Sequence, residues 1–325
     1  MPESVDICGE PMPLDNIMVR EMLDREFTIM VWDRAQVFMW LKRAGRFFPH
    51  IEKDLAKANM PDDLKYLAVA ESSLLTHVRS KRGALGTWQF MASTGRHKGL
   101  RKNRFMDERR SFEMSTGAAL KYLKQLNGMF GSWTLALAAY NLGDTKLKKK
   151  IKEQNVKDYY RLELPLETER FVFRIAAIKI IMREPERYGY HLLPERIYKP
   201  IKCDMVRIRI RAPLRITDVA QAIGTDFKTI KELNPQILGR YLPVGRYTIR
   251  VPPGSGAGIP AVIKKLAGKG RHKIKKVPDN YYVVQPGDTL SLISKQTGVP
   301  VGTLKSLNNI SGSLIKVGQE LRIAP

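Results

Sequence analysis

The sequence predicts a mostly α-helical first domain followed by small α+β modules. Apolar residues recur at helical spacing as far as about residue 195, where strand signals are weak. After Pro200 the period switches to two in "MVRIRIRAP". The order strand, helix, helix, strand then occurs twice, over about 205–253 and again over 281–325. The expected divisions are an arm at 1–28, a helical domain at 29–198, a divergent module at 203–253, a basic flexible linker at 254–280 and a last module at 281–325.

Each element has a local reason. Residues 1–28 carry prolines and mixed charge and read as an extended arm. From Val31 to about Met60 the pattern is helical, with an interruption expected at Pro49. Pro61-Asp62-Asp63 then opens a helix. Leu64, Leu67, Ala68, Leu74, Leu75 and Val78 form its apolar stripe, and Glu71 falls on the same stripe. Residues 83–103 are punctuated by glycine and read as loop. Helices are expected near 111–127 and 132–142, the second stopped by the glycine of "YNLGD". One more spans 165–184, between Pro165 and Pro185. In the repeats, "TIKELNPQI" answers "TLKSLNNI", and "LPVGRYTIRVP" answers "IKVGQELRIAP". Between them, residues 254–280 hold seven Lys/Arg against Asp279, the basis for the linker.

Bulk properties narrow the function. A chain of 325 residues fits two or three domains at roughly 150 residues each. The formal net charge of +24 predicts attraction to polyanions, whether nucleic acid, an anionic membrane face or an acidic wall polymer. Five histidines and two cysteines without a Cys/His cluster disfavour a zinc-finger route to nucleic acid, and no groove-reading element is visible. Lys146–Lys152, "KLKKKIK", reads as a solvated face or a contact with acidic wall groups. No apolar run is long enough to span a bilayer. The start "MPESVDICGE" has no signal-peptide character, so it is read as a cytosolic start or as a chain whose export signal has been replaced by Met. Cys8 and Cys203 could pair or remain free thiols, and Cys8 lacks a lipidation context. No cofactor and no metal are expected.

Glu71 is the residue that asks for a function. A carboxylate on an apolar stripe either finds an arginine, with Arg79 and Arg82 nearby in sequence, or it keeps a proton. A carboxyl group that stays neutral near pH 7 can serve as a general acid.

The neighbouring motifs carry a resemblance. Glu71-Ser72, then Ser80, Gly83, Ala84, Gly86 and Gln89, then Ala139-Tyr140-Asn141 follow one another in a fixed order. "STGRHKGL", "DERRS" and "LPLETERFV" fall between and after them. Over roughly 30–195 the chain resembles the lytic transglycosylases with a goose-type lysozyme fold, and most closely their membrane-bound D subgroup. The resemblance implies a lysozyme-like domain in which Glu71 alone is catalytic, first as acid and then as base. Ser80 and Gln89 are then expected to hold the sugar or orient the Glu. Tyr140 is expected to hydrogen-bond near Glu71, and Asn141 to cap its helix or fix a loop. Trp88, where many relatives have Met, is expected to pack on a sugar ring. Gly83 and Gly86 let the backbone pass close to substrate or simply make turns. Asp107 and Glu108 read as solvated or ion-paired, and Glu167 as structural near the site. Ser72 reads as structural.

Residues 281–325 resemble the LysM module, which binds chains containing N-acetylglucosamine. Gly287, Asp288, Thr289 and Leu290 are expected to form one lip of its groove, and Asn309 and Ile310 the other; Asp288-Thr289 also reads as a helix cap. The first repeat has "APLRITD" where Gly-Asp-Thr-Leu is expected, and reads as a glycan binder or a structural bridge. The resemblance implies non-hydrolytic cleavage of peptidoglycan to 1,6-anhydro-muramic ends. The alternatives are a hydrolytic muramidase on the same fold and an inactive wall-binding protein. Expected partners are peptidoglycan strands, with no nucleic acid, a monomeric state, and a periplasmic or envelope location.

Overall fold

The computed structural model describes residues 1–269, 281–284 and 287–324. The first residues are not an extended arm. β1 (Asp6–Ile7) and β2 (Glu10–Pro11) form a hairpin whose turn places Cys8 and Gly9 at positive φ. Its acids hold it down. Buried Lys179 donates to the carboxylates of Asp6 and Asp63. Glu10 accepts from the backbone N–H groups of Trp133 and Thr134, capping a helix that starts 123 residues further along the sequence. Cys8 and Cys203 are free thiols.

The helices of the first domain follow. α1 (Ile17–Trp32) lies within the stretch expected to be arm and its end. It is capped by Asn16 and buries Val19, Leu23 and Phe27. Asp33 caps α2 (Arg34–Lys57), which runs unbroken through Pro49. Burial of Val37 and Trp40 before Pro49, and of Ile51 and Leu55 after it, outweighs the one lost backbone bond. α3 (Lys65–Ser72) and α4 (Ala92–His97) are short. α5 (Phe112–Phe130) is capped by Ser111 and stopped by Gly131 in the left-handed region. α6 (Trp133–Leu142) ends at Gly143. α7 (Asp144–Gln154) carries the lysine run with only Leu147 buried, as a solvated face requires. α8 (Leu166–Arg183) is apolar on nearly every side, from Phe171 to Ile181, and is the central helix against which α1, α3 and α6 pack.

The first module begins with β3 (Asp204–Ile210) and β4 (Leu214–Arg215), then α9 (Ile216–Ala222) and α10 (Phe227–Leu233), then β5 (Tyr241–Leu242) and β6 (Gly245–Val251). β3 and β6 pair antiparallel from Asp204–Val251 to Ile210–Gly245. α11 (Ile259–Lys269) occupies much of the stretch expected to be a flexible linker. Its Ile259 and Ile263 are buried in the core of this module, while Lys264 and Lys265 are exposed on the opposite side of an anchored amphipathic helix. The rest of the expected linker, 270–280, lies outside the described residues.

The last module has β7 (Tyr281–Val283) paired antiparallel with β8 (Glu320–Arg322), around α12 (Leu290–Thr297) and α13 (Val301–Leu307). The repeat extends to individual hydrogen bonds. The Asn234 amide donates to the carbonyls of Ile230 and Arg250 and accepts from Arg250 N–H. Asn308 does the same with Leu304 and Arg322.

The first module is fastened to the helical domain. Met106 is buried in the module's core. Asp107 N–H donates to Gln236 O and Leu238 N–H to Phe105 O, both at 2.8 Å. Arg250 pairs with Glu113.

Candidate active site

Glu71 sits in the last turn of α3. The helix stops one residue later, because Ser73 and Leu74 both take left-handed backbone angles, φ 54° and 62°. Two successive non-glycine residues there are strained, and the strain must be held from outside. α2 supplies the hold. Gln36 and Trp40 donate to the Ser73 hydroxyl, and Arg43 donates to the Ser73 carbonyl. Leu74 is buried. The expected stripe through Leu74, Leu75 and Val78 therefore does not exist as one helix face, and Glu71 comes to rest at a helix end beside a reversal of the chain.

Glu71 is half-buried as a residue, and its carboxyl is drawn out of water far enough for burial to dominate its titration. Among the described residues no cation lies within 4.0 Å of it, so neither Arg79 nor Arg82 answers it. Arg79 pairs instead with Asp288, at 3.1 Å. Burial pushes the Glu71 pKa up to about 8. Arg174 works against the shift and the Glu167 carboxylate adds to it. Arg174 is partly engaged elsewhere, 3.7 Å from Glu26. Glu167 is exposed in the first turn of α8. A carboxyl group of this kind carries its proton at neutral pH and can release it to a nearby acceptor.

The loop after α3 is built by the motif residues. The Gln89 amide donates to the carbonyls of Val78 and Gly86, and its own backbone is left-handed at φ 44°. The Ser80 hydroxyl is exposed and accepts from Ala84 N–H, closing a tight turn. Gly86, at φ 85°, passes so close to Arg109 that a Cβ there would lie 2.0 Å from the Arg109 carbonyl oxygen. Its need for glycine is thus a backbone crossing inside the protein, while Gly83 serves a turn with open space around it. Ser72 donates to Thr87 O and ties the loop to α3.

One expectation is corrected. Trp88 is 0% exposed and its indole donates to Thr116, so it is a core residue and no platform for sugar. The indole is apolar enough to be drawn into the core once its single N–H has a partner. Tyr140 donates its hydroxyl to the Trp88 carbonyl at 2.8 Å, near enough to Glu71 to feel its charge. Its ring stands against Tyr122, with centroids 5.5 Å apart. Burial first, and then the Glu71 charge, hold its phenol well above the usual range, so it stays protonated beside the acid. Asn141 does not cap α6; its side-chain oxygen accepts from Thr168 and joins α6 to α8.

Asp107, Glu108 and Arg109 of the "DERR" run are buried and Arg110 is half-buried, where a solvated run was one of the expectations. Asp107 pairs with Arg109 and Glu108 with Arg101, each at 2.6 Å. Arg109 then donates to the carbonyls of Gly83 and Phe90, which makes it the strut of the Glu71 loop. Sequence reading missed this role, and the only available signal was the place of "DERRS" in the motif order.

In the last module, Thr289 caps α12 by accepting from Leu292 N–H. Asp288 is enclosed, 3.1 Å from Arg79 and accepting from Tyr282 OH at 2.7 Å. Leu290 is buried in the module core. Asp288 and Leu290 therefore do not form an open groove lip in this arrangement. Gly287 and Thr289 are exposed. Asn309 is exposed at φ 52°, and Ile310 packs against the core.

A helical core with one unpaired, proton-holding carboxyl at a helix end, braced by a hydrogen-bonded loop, is the arrangement expected of the lysozyme-like domain that the motifs implied. Residues 48–162 match the Transglycosylase SLT domain and residues 282–324 match the LysM domain. The chain thus carries an SLT domain in its helical part and a LysM domain at 282–324. It is similar to the "Membrane-bound lytic murein transglycosylase D" of Escherichia coli strain K12, at 32% identity over 302 residues. That match covers 86% of this chain and 64% of the relative, so the chain spans somewhat under two thirds of its length. A "Putative tributyltin chloride resistance protein" of Alteromonas sp. strain M-1 is 30% identical over 122 residues, 37% of this chain and 58% of that one. An inactive variant of the lytic transglycosylase Slt from Pseudomonas aeruginosa, known as a solved structure, is 17% identical with a TM-score of 0.33, covering 47% of this chain and 26% of that one.

Proposed function

We propose that the chain is a peptidoglycan lytic transglycosylase. Glu71 protonates the glycosidic oxygen between N-acetylmuramic acid and N-acetylglucosamine. Its carboxylate then accepts the proton of the muramic C6 hydroxyl as that oxygen attacks C1 and closes a 1,6-anhydro ring. One carboxyl group serves twice, and the proton balance closes without added water. The observation that carries this reading is the unpaired Glu71, with its pKa pushed up to about 8. The SLT and LysM matches support peptidoglycan as substrate and as binding partner. Among the described residues no helix is long and apolar enough to cross a membrane. The location that fits the substrate is the periplasm or cell envelope, and the chain acts as a monomer.

Hydrolysis is the second reading, and Glu167 is what favours it. A hydrolase of this type uses a second carboxylate roughly 5–9.5 Å from the first, and Glu167 is close enough for its charge to be felt at Glu71. Mass spectrometry of digested peptidoglycan separates the two. Products one water lighter than reducing muropeptides are expected; reducing muramic ends select hydrolysis, and intact wall selects a binding protein without turnover.

A further inference from the structure

A cavity of about 610 Å³ lies where the helical domain, the first module and the last module meet. Neither Glu71, Tyr140 nor Asn141 lines it. Six cationic side chains do, Arg79, Lys102, Arg109, Arg110, Lys228 and Lys231, against two carboxylates, Asp107 and Glu232. Most of the cations have work already. Arg79 holds Asp288, Arg109 holds Asp107, and Lys228 stands 3.7 Å from Glu232. Lys231 donates to the carbonyls of Ile237 and Gly239.

Lys102 and Arg110 do not. Among the described residues neither side chain has a hydrogen-bond or ion-pair partner, and the Arg110 Nε is buried without one. Both side chains are half-buried, and the acid that acts on them from a distance, Asp107, is already paired with Arg109; taking cations out of water with so little answering charge is costly. The strain shows in the neighbours: burial, together with the Arg110 charge, lowers the Lys231 pKa to about 8, and burial lowers those of Lys102 and Arg110 as well. The volume is that of a small-molecule site, and Leu85, Ile237 and Leu238 add an apolar wall.

We propose that this junction cavity is a binding site for a short peptide bearing two or more carboxylates, gripped by Lys102 and Arg110. The choice of a peptide rests on the peptidoglycan reading above, since that polymer presents multiply carboxylated peptide branches beside the sugars. The site itself rests on two half-buried cations that have no direct partner among the described residues. Its walls come from three modules, so an occupant also joins the last module to the catalytic domain.

The test is calorimetry on the full chain with the tripeptide L-Ala-γ-D-Glu-diaminopimelate, the same tripeptide with its carboxyls amidated, and inorganic phosphate. The free tripeptide is expected to bind saturably and the amidated one at least tenfold more weakly. The double variant Lys102→Gln/Arg110→Gln is expected to lose at least tenfold in tripeptide affinity, and Lys102→Arg to keep it. Since these two side chains have no partner to lose, the double variant is expected to melt no lower than the parent, and to cleave peptide-free glycan at the parent rate. Equal affinity for the amidated tripeptide, or unchanged affinity in the double variant, overturns the proposal. Phosphate that binds more tightly than the tripeptide overturns the peptide assignment. Anhydro products without tripeptide binding sink this inference alone; tripeptide binding without anhydro products sinks the reading of Glu71 alone.

Discussion

Glu26 and Glu71 are two carboxylates set near α8 in the same helical body, and they are treated in opposite ways. Glu26 is 2% exposed and answered by three arginines: Arg25 and Arg170 at 2.6 Å and Arg174 at 3.7 Å. Glu71 has no cation within ion-pair range among the described residues, and it retains a proton to about pH 8. Burial is thus no signature of chemistry by itself. What separates a structural acid from a reactive one is whether the protein supplies the countercharge.

The sharpest way to break this contrast is to neutralise each acid. Glu71→Gln is expected to cut turnover about a thousandfold, within the range for losing a general acid, while binding to insoluble wall persists in a sedimentation assay. A variant with turnover near the parent level would end the assignment of Glu71. Glu26→Gln is expected to leave turnover of the folded enzyme near the parent value and to lower stability by about 3 kcal/mol, the lower end for breaking a buried pair, read from urea midpoints. Its arginines reach solvent and so recover part of the loss.

The next effect is a dependence on pH. Glu71 binds its proton more tightly in the folded chain than in the unfolded one, where its pKa is near the ordinary 4.5. Between about pH 4.5 and 8 the folded state therefore holds more protons, and stability must fall as pH rises. The melting temperature of Glu71→Gln minus that of the parent is expected to grow across this window and level off above it. The turnover rate of the parent is expected to fall above about pH 8, as the acid is lost. A difference that shrinks with rising pH contradicts the placement of the proton.

The smallest effects come from the two flanking charges. Arg174→Met is expected to move the alkaline limb of the rate profile upward, and Glu167→Gln to move it downward, each by less than about one pH unit at this exposure. Because Arg174 also touches Glu26, its variant is expected to lose some stability as well, which ties the two acids together in one measurement.

Much of the fold was legible because the signals are local. α5, α6 and α8 announce themselves by apolar spacing and by Gly131, Gly143 and Pro165 at their ends. The repeat could be read from Asn234 and Asn308, whose side chains close the same hydrogen-bond circuit in both modules. α1 and α11 were hidden among charges and prolines, since their helicity is decided by the cores that Leu23 and Ile263 enter. Pro49 misled for the same reason. At the site, Glu71 was visible as a misplaced charge. Trp88, Gln89 and Asp288 were not legible, because their partners, Thr116, the Val78 and Gly86 carbonyls and Arg79, are assembled only when the loops close.

The sequence alone determined the order of the elements, the division between helical and repeated halves, and the presence of an acid where an apolar residue was expected. These follow from periodicity and from residue chemistry, which act over a few positions. Only the tertiary structure decided which acids are answered. Electrostatic pairing depends on distance in space: Arg25 is the sequence neighbour of Glu26, but Arg170 and Arg174, which also reach Glu26 and leave Glu71 its proton, come from α8, far along the chain.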